Sequence, residues 1–228
     1  MNILVQPNKP SEASTGWRAV PEQRLLLHNV SWASYVAIGA ALTDHPALRM
    51  TFDRGRLEFM TTSQRHEVYK KWLGRIVETL AEECQLALAP AGNMTFQRPD
   101  LERGLEPDDC YWITNEPRMR GRLDYDPERD PPPDLVVEIE VSRSALDRMS
   151  IYAALGVPEV WRFDGAVLHI ELLQPDRVYQ SATNSLSFPN LAVAELTRFL
   201  EPSQTVDYLS VIRQVRAWAQ QQRSQSSG

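Results

Sequence analysis

The stretch Pro133-Asp134-Leu135-Val136-Val137-Glu138-Ile139-Glu140-Val141 decides how the rest of this chain is read. Side chains alternate across a strand, so Leu135, Val137, Ile139 and Val141 form a wholly apolar face, while Asp134, Val136, Glu138 and Glu140 share the other. The pattern predicts a buried β-strand that carries acids on one side. Carboxylates in such a run are costly to bury without a partner. A hard divalent cation is the usual partner of clustered acids. With a strand rise of roughly 3.3 Å per residue, Asp134 and Glu138 stand about 13 Å apart and cannot share one ion, whereas Glu138 and Glu140 are only about 6.6 Å apart.

A further acid should come from a neighbouring strand, and Asp108 is the candidate. Residues Asp109 to Thr114 read as a short strand directly after Glu106-Pro107-Asp108. If it pairs antiparallel with 134–141, Asp108 falls beside the end that carries Glu138 and Glu140, and the three carboxylates converge. Oxygen ligands of this kind suit Mg²⁺ or Mn²⁺ and do not suit zinc. An ion held there can activate water and neutralise charge at a phosphodiester. A plainer reading stands beside this one, in which Pro107-Asp108-Asp109 is an acidic turn and Glu138 pairs with an arginine of the fold. Asp134, out of reach of the others, reads first as a strand-start residue and second as a site residue.

Around this strand the periodicities alternate. Ser31 is placed to cap a helix reaching about Leu42. Leu48 to Phe52 and Arg56 to Met60 read as a hairpin turned at Asp53-Arg54-Gly55. From Ser63 to Cys84 the apolar residues Val68, Trp72, Leu73, Ile76, Val77, Leu80 and Cys84 recur at helical spacing. Residues 115–133 form a long, charged, proline-rich connection in which Arg118, Arg120 and Arg122 alternate with acids. A helix over about Ala145 to Leu155 follows the acidic strand, with Ser144 and Asp147 spaced as a capping box and Gly156-Val157-Pro158 as its stop. Glu159 to Phe163 and Val167 to Leu173 read as a second hairpin at Asp164-Gly165, with further strand near Val178-Tyr179. Leu191 to Leu200 and Val206 to Trp218 read as helices, and the Gln/Ser-rich residues 220–228 as a disordered tail. This order of elements predicts an α/β or α+β fold around a mixed sheet.

The 228 residues, 43% hydrophobic and 24% charged, suffice for one elaborated domain without covalent staples. Cys84 and Cys110 show no CxxC or zinc spacing, which points to a reduced, cytoplasmic setting. No apolar run has the length of a membrane span. The net charge of −6 argues against a general polyanion binder, yet it leaves room for a local basic cleft. A Gly-x-Ser-x-Gly elbow and a Gly-rich phosphate loop are both absent from the sequence.

Several stretches together resemble one family. They are Phe52-Asp53-Arg54-Gly55-Arg56-Leu57-Glu58-Phe59-Met60 with His66-Glu67 after it; Glu106-Pro107-Asp108-Asp109-Cys110-Tyr111-Trp112-Ile113; Pro133 to Ile139; and Asp147-Arg148-Met149-Ser150-Ile151-Tyr152 continuing to Trp161. In this order, over roughly residues 30–200, they resemble the Uma family of restriction-endonuclease-like proteins in the PD-(D/E)xK nuclease superfamily.

The resemblance implies a restriction-endonuclease-like mixed central β-sheet flanked by helices and a Mg²⁺-dependent (or Mn²⁺-dependent) site that hydrolyses DNA, with a homodimer as the common assembly. Together with the Pro7, Pro10, Gly16 and Pro21 of residues 1–24, which read as an irregular arm, it divides the chain into that arm, a nuclease-like domain at 25–205, and a C-terminal helix with its tail at 206–228. It makes Asp108 and Glu138 the metal ligands. The lysine of the (D/E)xK triplet falls on Glu140, which is not lysine, and Arg148, four residues before Tyr152, takes its place. Arginine stays protonated and cannot serve as a base, but it can stabilise charge developing on a phosphate. Glu140 then assists as a ligand or water-positioning group. His66 and Glu58 are further candidates, His66 by contact with the site or a phosphate and Glu58 by bringing a carboxylate from the first hairpin. The substitutions at 140 and 148 leave a second expectation open, a catalytically degenerate nucleic-acid-binding or structural module on the same fold.

Overall fold

The computed structural model of this chain describes residues 22–42, 44, 45, 47–201 and 205–226. Residues 1–21, most of the expected arm, lie outside them. Strand β1 (Gln23–Leu27) is followed by helix α1 (Trp32–Ala41), whose Ser31 hydroxyl accepts from the Ser34 N–H at 3.1 Å. The hairpin β2 (Leu48–Asp53) and β3 (Arg56–Thr61) turns where expected, with Gly55 at a φ of 84°. Helix α2 (Gln64–Cys84) starts at Ser63, whose hydroxyl accepts from the His66 N–H, and it buries Leu73, Ile76, Val77 and Leu80 on one face. Short strands β4 (Ala89–Pro90), β5 (Phe96–Arg98) and β6 (Arg103–Leu105) lead to β7 (Asp109–Trp112). The proline-rich connection holds one turn of helix, α3 (Glu116–Met119), before β8 (Leu135–Ile139). Helix α4 (Arg148–Leu155) crosses over to β9 (Glu159–Phe163), and β10 (Leu168–Leu173), β11 (Tyr179–Ala182) and helix α5 (Tyr208–Ser226) complete the described chain.

These strands build the expected mixed sheet and, beside it, a second, smaller sheet. The larger has the order β11-β10-β9-β8-β7-β4 and is mixed, since β8 runs parallel to β9 and antiparallel to β7. The smaller has the order β1-β3-β2-β6-β5 and is antiparallel throughout. The predicted alternation along β8 decides the layering. Leu135, Val137 and Ile139 enter a core with α2, α5 and the segment 188–200. Val136 faces the opposite way, into a second core with Ile151 and Tyr152 of α4, with Val157 just beyond that helix, and with Phe96 and Leu105 of the smaller sheet. Buried on both faces, β8 carries the near-continuous apolar run of a strand with parallel pairing. A third core, under α1, joins Tyr35 to Met50, Phe52 and Leu57.

The departures from expectation have local causes. Residues 191–200 form a 3₁₀ turn over Val193–Phe199, not an α-helix; three residues per turn stack Val193, Leu196 and Phe199 on one buried edge. The tail expected to be disordered from Gln220 continues α5 to Ser226. Gln220 donates to Glu83 Oε2 at 2.9 Å, Arg223 donates to the Glu83 carbonyl, and Arg216 reaches Glu82 at 2.6 Å. Val215, Trp218 and Ala219 are buried against the main core on the same helix. Among the described residues no helix is long and apolar enough to cross a membrane.

Gly104 shows how tightly the smaller sheet closes on α1. A Cβ at this position would sit 2.5 Å from Tyr35 Oη and 3.0 Å from two of its ring carbons. The Tyr35 ring cannot yield, because it is fully buried and stacked on Phe52 at 4.8 Å between ring centres. Gly104→Ala is therefore expected to destabilise the fold by about 1–3 kcal/mol. Urea unfolding followed by tryptophan fluorescence measures it; an unchanged midpoint would show that the packing here is loose.

Candidate active site

Strands β7 and β8 pair with Asp109 opposite Val137, which sets Asp108 alongside Glu138 where β7 begins and β8 ends. Both side chains are buried. Asp108 Oδ1 accepts from His66 Nε2 at 2.7 Å, and Oδ2 accepts from the Ile139 N–H at 2.7 Å. Burial alone would raise the pKa of this carboxyl, but the two donors and the His66 charge outweigh it and hold the pKa below the ordinary value. Glu138 goes the other way. Burial, helped by the nearby negative charge of Asp108, raises its pKa in spite of Arg148. The structure thus sets two adjacent carboxylates in opposed electrostatic settings.

Arg148 opens α4, capped by Asp147, whose carboxylate accepts from the Ser150 N–H at 3.1 Å. Its Nη2 donates to Glu138 Oε1 at 2.5 Å and to the Glu106 carbonyl at 2.9 Å, and its Nη1 donates to Thr51 Oγ1 at 2.6 Å. One turn on, Tyr152 donates its hydroxyl to the same Glu138 oxygen and stands 3.3 Å from Arg148 Nη2. Burial works against the guanidinium charge, but Glu138 holds the arginine protonated, its pKa raised above the usual value. The expected capping box from Ser144 is not formed: its hydroxyl donates to Glu58 Oε1 at 2.7 Å.

A cavity of about 340 Å³ opens over this floor, lined by Glu138, Glu140 and Arg148 and walled by Arg24, Arg143 and Arg162. The convergence expected of Glu140 with Asp108 and Glu138 is not seen, although Glu140 reaches the cavity. The parallel register with β9 offers it Arg162 at 2.8 Å, and that guanidinium also bonds Glu171 at 3.3 Å. Among the described residues no three His, Cys, Asp or Glu side chains gather in the manner of a metal cage.

The remaining candidates take other positions. His66 is fully buried and bridges Asp108 to Glu22, its Nδ1 lying 2.8 Å from Glu22 Oε1. Burial disfavours its charge, but hydrogen bonds to the two carboxylates raise its pKa to about 9, so both ring nitrogens carry protons at neutral pH. Glu58 does not open into the cavity. It receives Arg24 at 2.8 Å, the Ser144 hydroxyl and the Ala145 N–H, and so props the loop that forms the cavity wall.

Asp134 lies at the far end of β8. There it takes the N–H groups of Ile113 and Asn115 and the Asn115 amide at 2.7–2.8 Å, which assigns it to the β7–α3 corner and removes it from the site. Arg118, Arg120 and Arg122 bond Arg129, Glu116 and Asp130 within their own connection. Sequence reasoning passed over Glu22 and gave Tyr152 no role of its own in the site. The four-residue spacing from Arg148 was the available signal for Tyr152. Glu22 gave none, since no strand pattern precedes Gln23.

A mixed sheet flanked by helices, with α4 crossing between parallel strands behind an acidic pair, defines a restriction-endonuclease-like fold. Residues 32–223 match the model of the Uma2 family, described as "Putative restriction endonuclease", and the chain belongs to that family. Comparison with curated proteins gave no match.

The Glu138–Arg148 pair generates a prediction. Removing one member of a buried pair leaves the other charge uncompensated. Glu138→Ala is expected to cost about 3–5 kcal/mol, and the double variant Glu138→Ala/Arg148→Met to recover most of it. A double-mutant cycle by urea unfolding reads this directly; additive losses would mean that the two groups are independent.

Proposed function

We propose that this protein is a Mg²⁺- or Mn²⁺-dependent endonuclease that hydrolyses DNA phosphodiester bonds. One observation carries the reading: Glu138 lines a cavity walled by arginines, and the strand register sets Asp108 beside it where β7 begins. Membership of the Uma2 family supports it, and restriction-endonuclease-like families generally use divalent metals.

The donor set fits a hard cation. Both hydrogen bonds to Glu138 fall on Oε1, so Oε2 takes none among the described residues. Each Asp108 oxygen accepts a single bond and keeps a second lone pair. Two carboxylates are what Mg²⁺ commonly takes from a protein, with water and substrate phosphate completing its shell. When bound, such an ion supplies Lewis acidity toward a phosphoryl oxygen and lowers the pKa of a coordinated water.

The chain's own groups divide the other work. Asp108 is held ionised and oriented by His66 and the Ile139 N–H. Arg148, permanently charged, stabilises negative charge that builds on the phosphate and takes no part in proton removal. Arg143, exposed at the cavity wall, meets the anionic backbone of the substrate. Glu140, tied to Arg162, keeps that guanidinium at the rim. A second reading, a nucleic-acid-binding module without turnover, draws on the four polar contacts that already hold Arg148.

Mn²⁺ calorimetry and plasmid nicking on wild type and on Asp108→Asn/Glu138→Gln separate these readings. Binding and nicking that are both lost in the variant are the expected result. Metal binding and DNA binding without nicking by the wild type would select the second reading. Equal Mn²⁺ affinity in wild type and variant would remove both acids from metal binding.

A further inference from the structure

A connected set of side chains runs behind the candidate site, and Glu22 stands at its centre. Its carboxylate is 2% exposed, and each oxygen serves a different part of the site. Oε1 faces His66 Nδ1 at 2.8 Å, and the other side of that imidazole bonds Asp108 Oδ1 at 2.7 Å. Oε2 accepts from the Ser142 hydroxyl, which itself accepts from Arg24 Nε at 2.9 Å. Arg24 continues to the Ser142 carbonyl at 3.2 Å and to Glu58, whose second oxygen takes the Ala145 N–H at 2.7 Å.

One carboxylate therefore fixes the orientation of a proposed metal ligand and, by its other arm, the start of the loop that walls the cavity. Stability does not account for this arrangement. Buried ion pairs can often be replaced by apolar groups at no loss, because desolvation cancels the attraction. What an apolar replacement could not do is hold the His66 ring with one nitrogen aimed at Asp108. A group bonded directly to a metal ligand, as His66 is to Asp108, typically changes metal affinity 10- to 100-fold when lost, and Glu22 acts one step further back by holding His66.

We infer that Glu22 is a positioning residue of the site, acting through His66 on Asp108 and through Ser142 on the cavity wall. The inference rests on the reading of Asp108 and Glu138 as metal ligands. It places a functional residue just ahead of β1, a strand of the smaller sheet, whereas Glu138 lies in the larger sheet and Asp108 leads into it.

The test is Mn²⁺ affinity by calorimetry in the full chain, well below the melting temperature of each variant. Glu22→Ala is expected to weaken binding about 10-fold, the lower end of the range for loss of a ligand's direct partner. Glu22→Gln keeps an acceptor for His66 and is expected to restore most of it. Glu159→Gln serves as the control for burial alone. Glu159 is an equally buried carboxylate that accepts from Trp161, and the Ser187 N–H and hydroxyl, away from the cavity. It is expected to lower the melting temperature and leave Mn²⁺ affinity unchanged.

If Glu22→Ala does not fold, Glu22→Asp, shorter by one methylene, is read in the same way. Wild-type affinity in the Ala or Asp variant overturns the inference while leaving the metal site standing. Absence of Mn²⁺ binding in the wild type overturns both the metal site and this inference. A loss in Glu159→Gln equal to that in Glu22→Ala shows a general effect of destabilisation and also overturns the inference.

Discussion

The contact on which the rest of this structure depends is the buried pair of Glu138 and Arg148. Glu138 belongs to the central strand of the larger sheet, and Arg148 begins the crossover helix. The arginine's remaining donors go to Thr51 and to the Glu106 carbonyl, so one guanidinium ties the smaller sheet, the approach to β7 and the crossover helix to a single carboxylate. Most buried ion pairs contribute little net stability, and their best-attested value is in specifying one arrangement over its alternatives. Here that value is visible. The two sheets share an apolar core through Phe96 and Leu105, but apolar contacts alone tolerate sliding. The guanidinium, with its planar set of donors, fixes the register between the layers.

Much of this could be read from the chain, and the reasons differ by element. The long helix from Gln64 was legible because seven apolar residues repeat at helical spacing and a serine cap precedes them. Strand β8 was legible because its alternation leaves only one way to bury Leu135, Val137 and Ile139. The adjacency of Asp108 and Glu138 followed from the antiparallel pairing, a local consequence of two neighbouring strands.

Other features had no local signature. That Glu140 faces Arg162 depends on β9, which pairs only after the crossover helix is in place. The division into two sheets turns on three-residue strands at 96–98 and 103–105, too short to show a period. The roles of Glu22 and Glu58 depend on contacts across 120 and 86 residues of chain, which no pattern within either segment encodes.

The acids on and beside β8 also illustrate how one functional group is put to four uses. Asp108 is held ionised by donors, Glu138 is pushed toward neutrality by burial, Glu140 is tethered at the rim by a cation, and Asp134 ties down backbone N–H groups at the far end of the same strand. Sequence gives all four the same chemistry; the fold distinguishes them by solvent, charge and distance.

The span of chain that the site draws together has a consequence for how the protein is made. Asp108 is fixed by a backbone N–H 31 residues later, and Glu22 by a hydroxyl 120 residues later. A polypeptide emerging from the ribosome folds the segments it already has, and pairings distant in sequence close last. Until Arg148 and the following strand have emerged, Glu138 lacks its counter-charge, and the acids are only exposed carboxylates on an unfinished sheet. Completion of this side-chain cluster therefore waits on the crossover helix and the strand that follows it, the last of its parts to leave the ribosome.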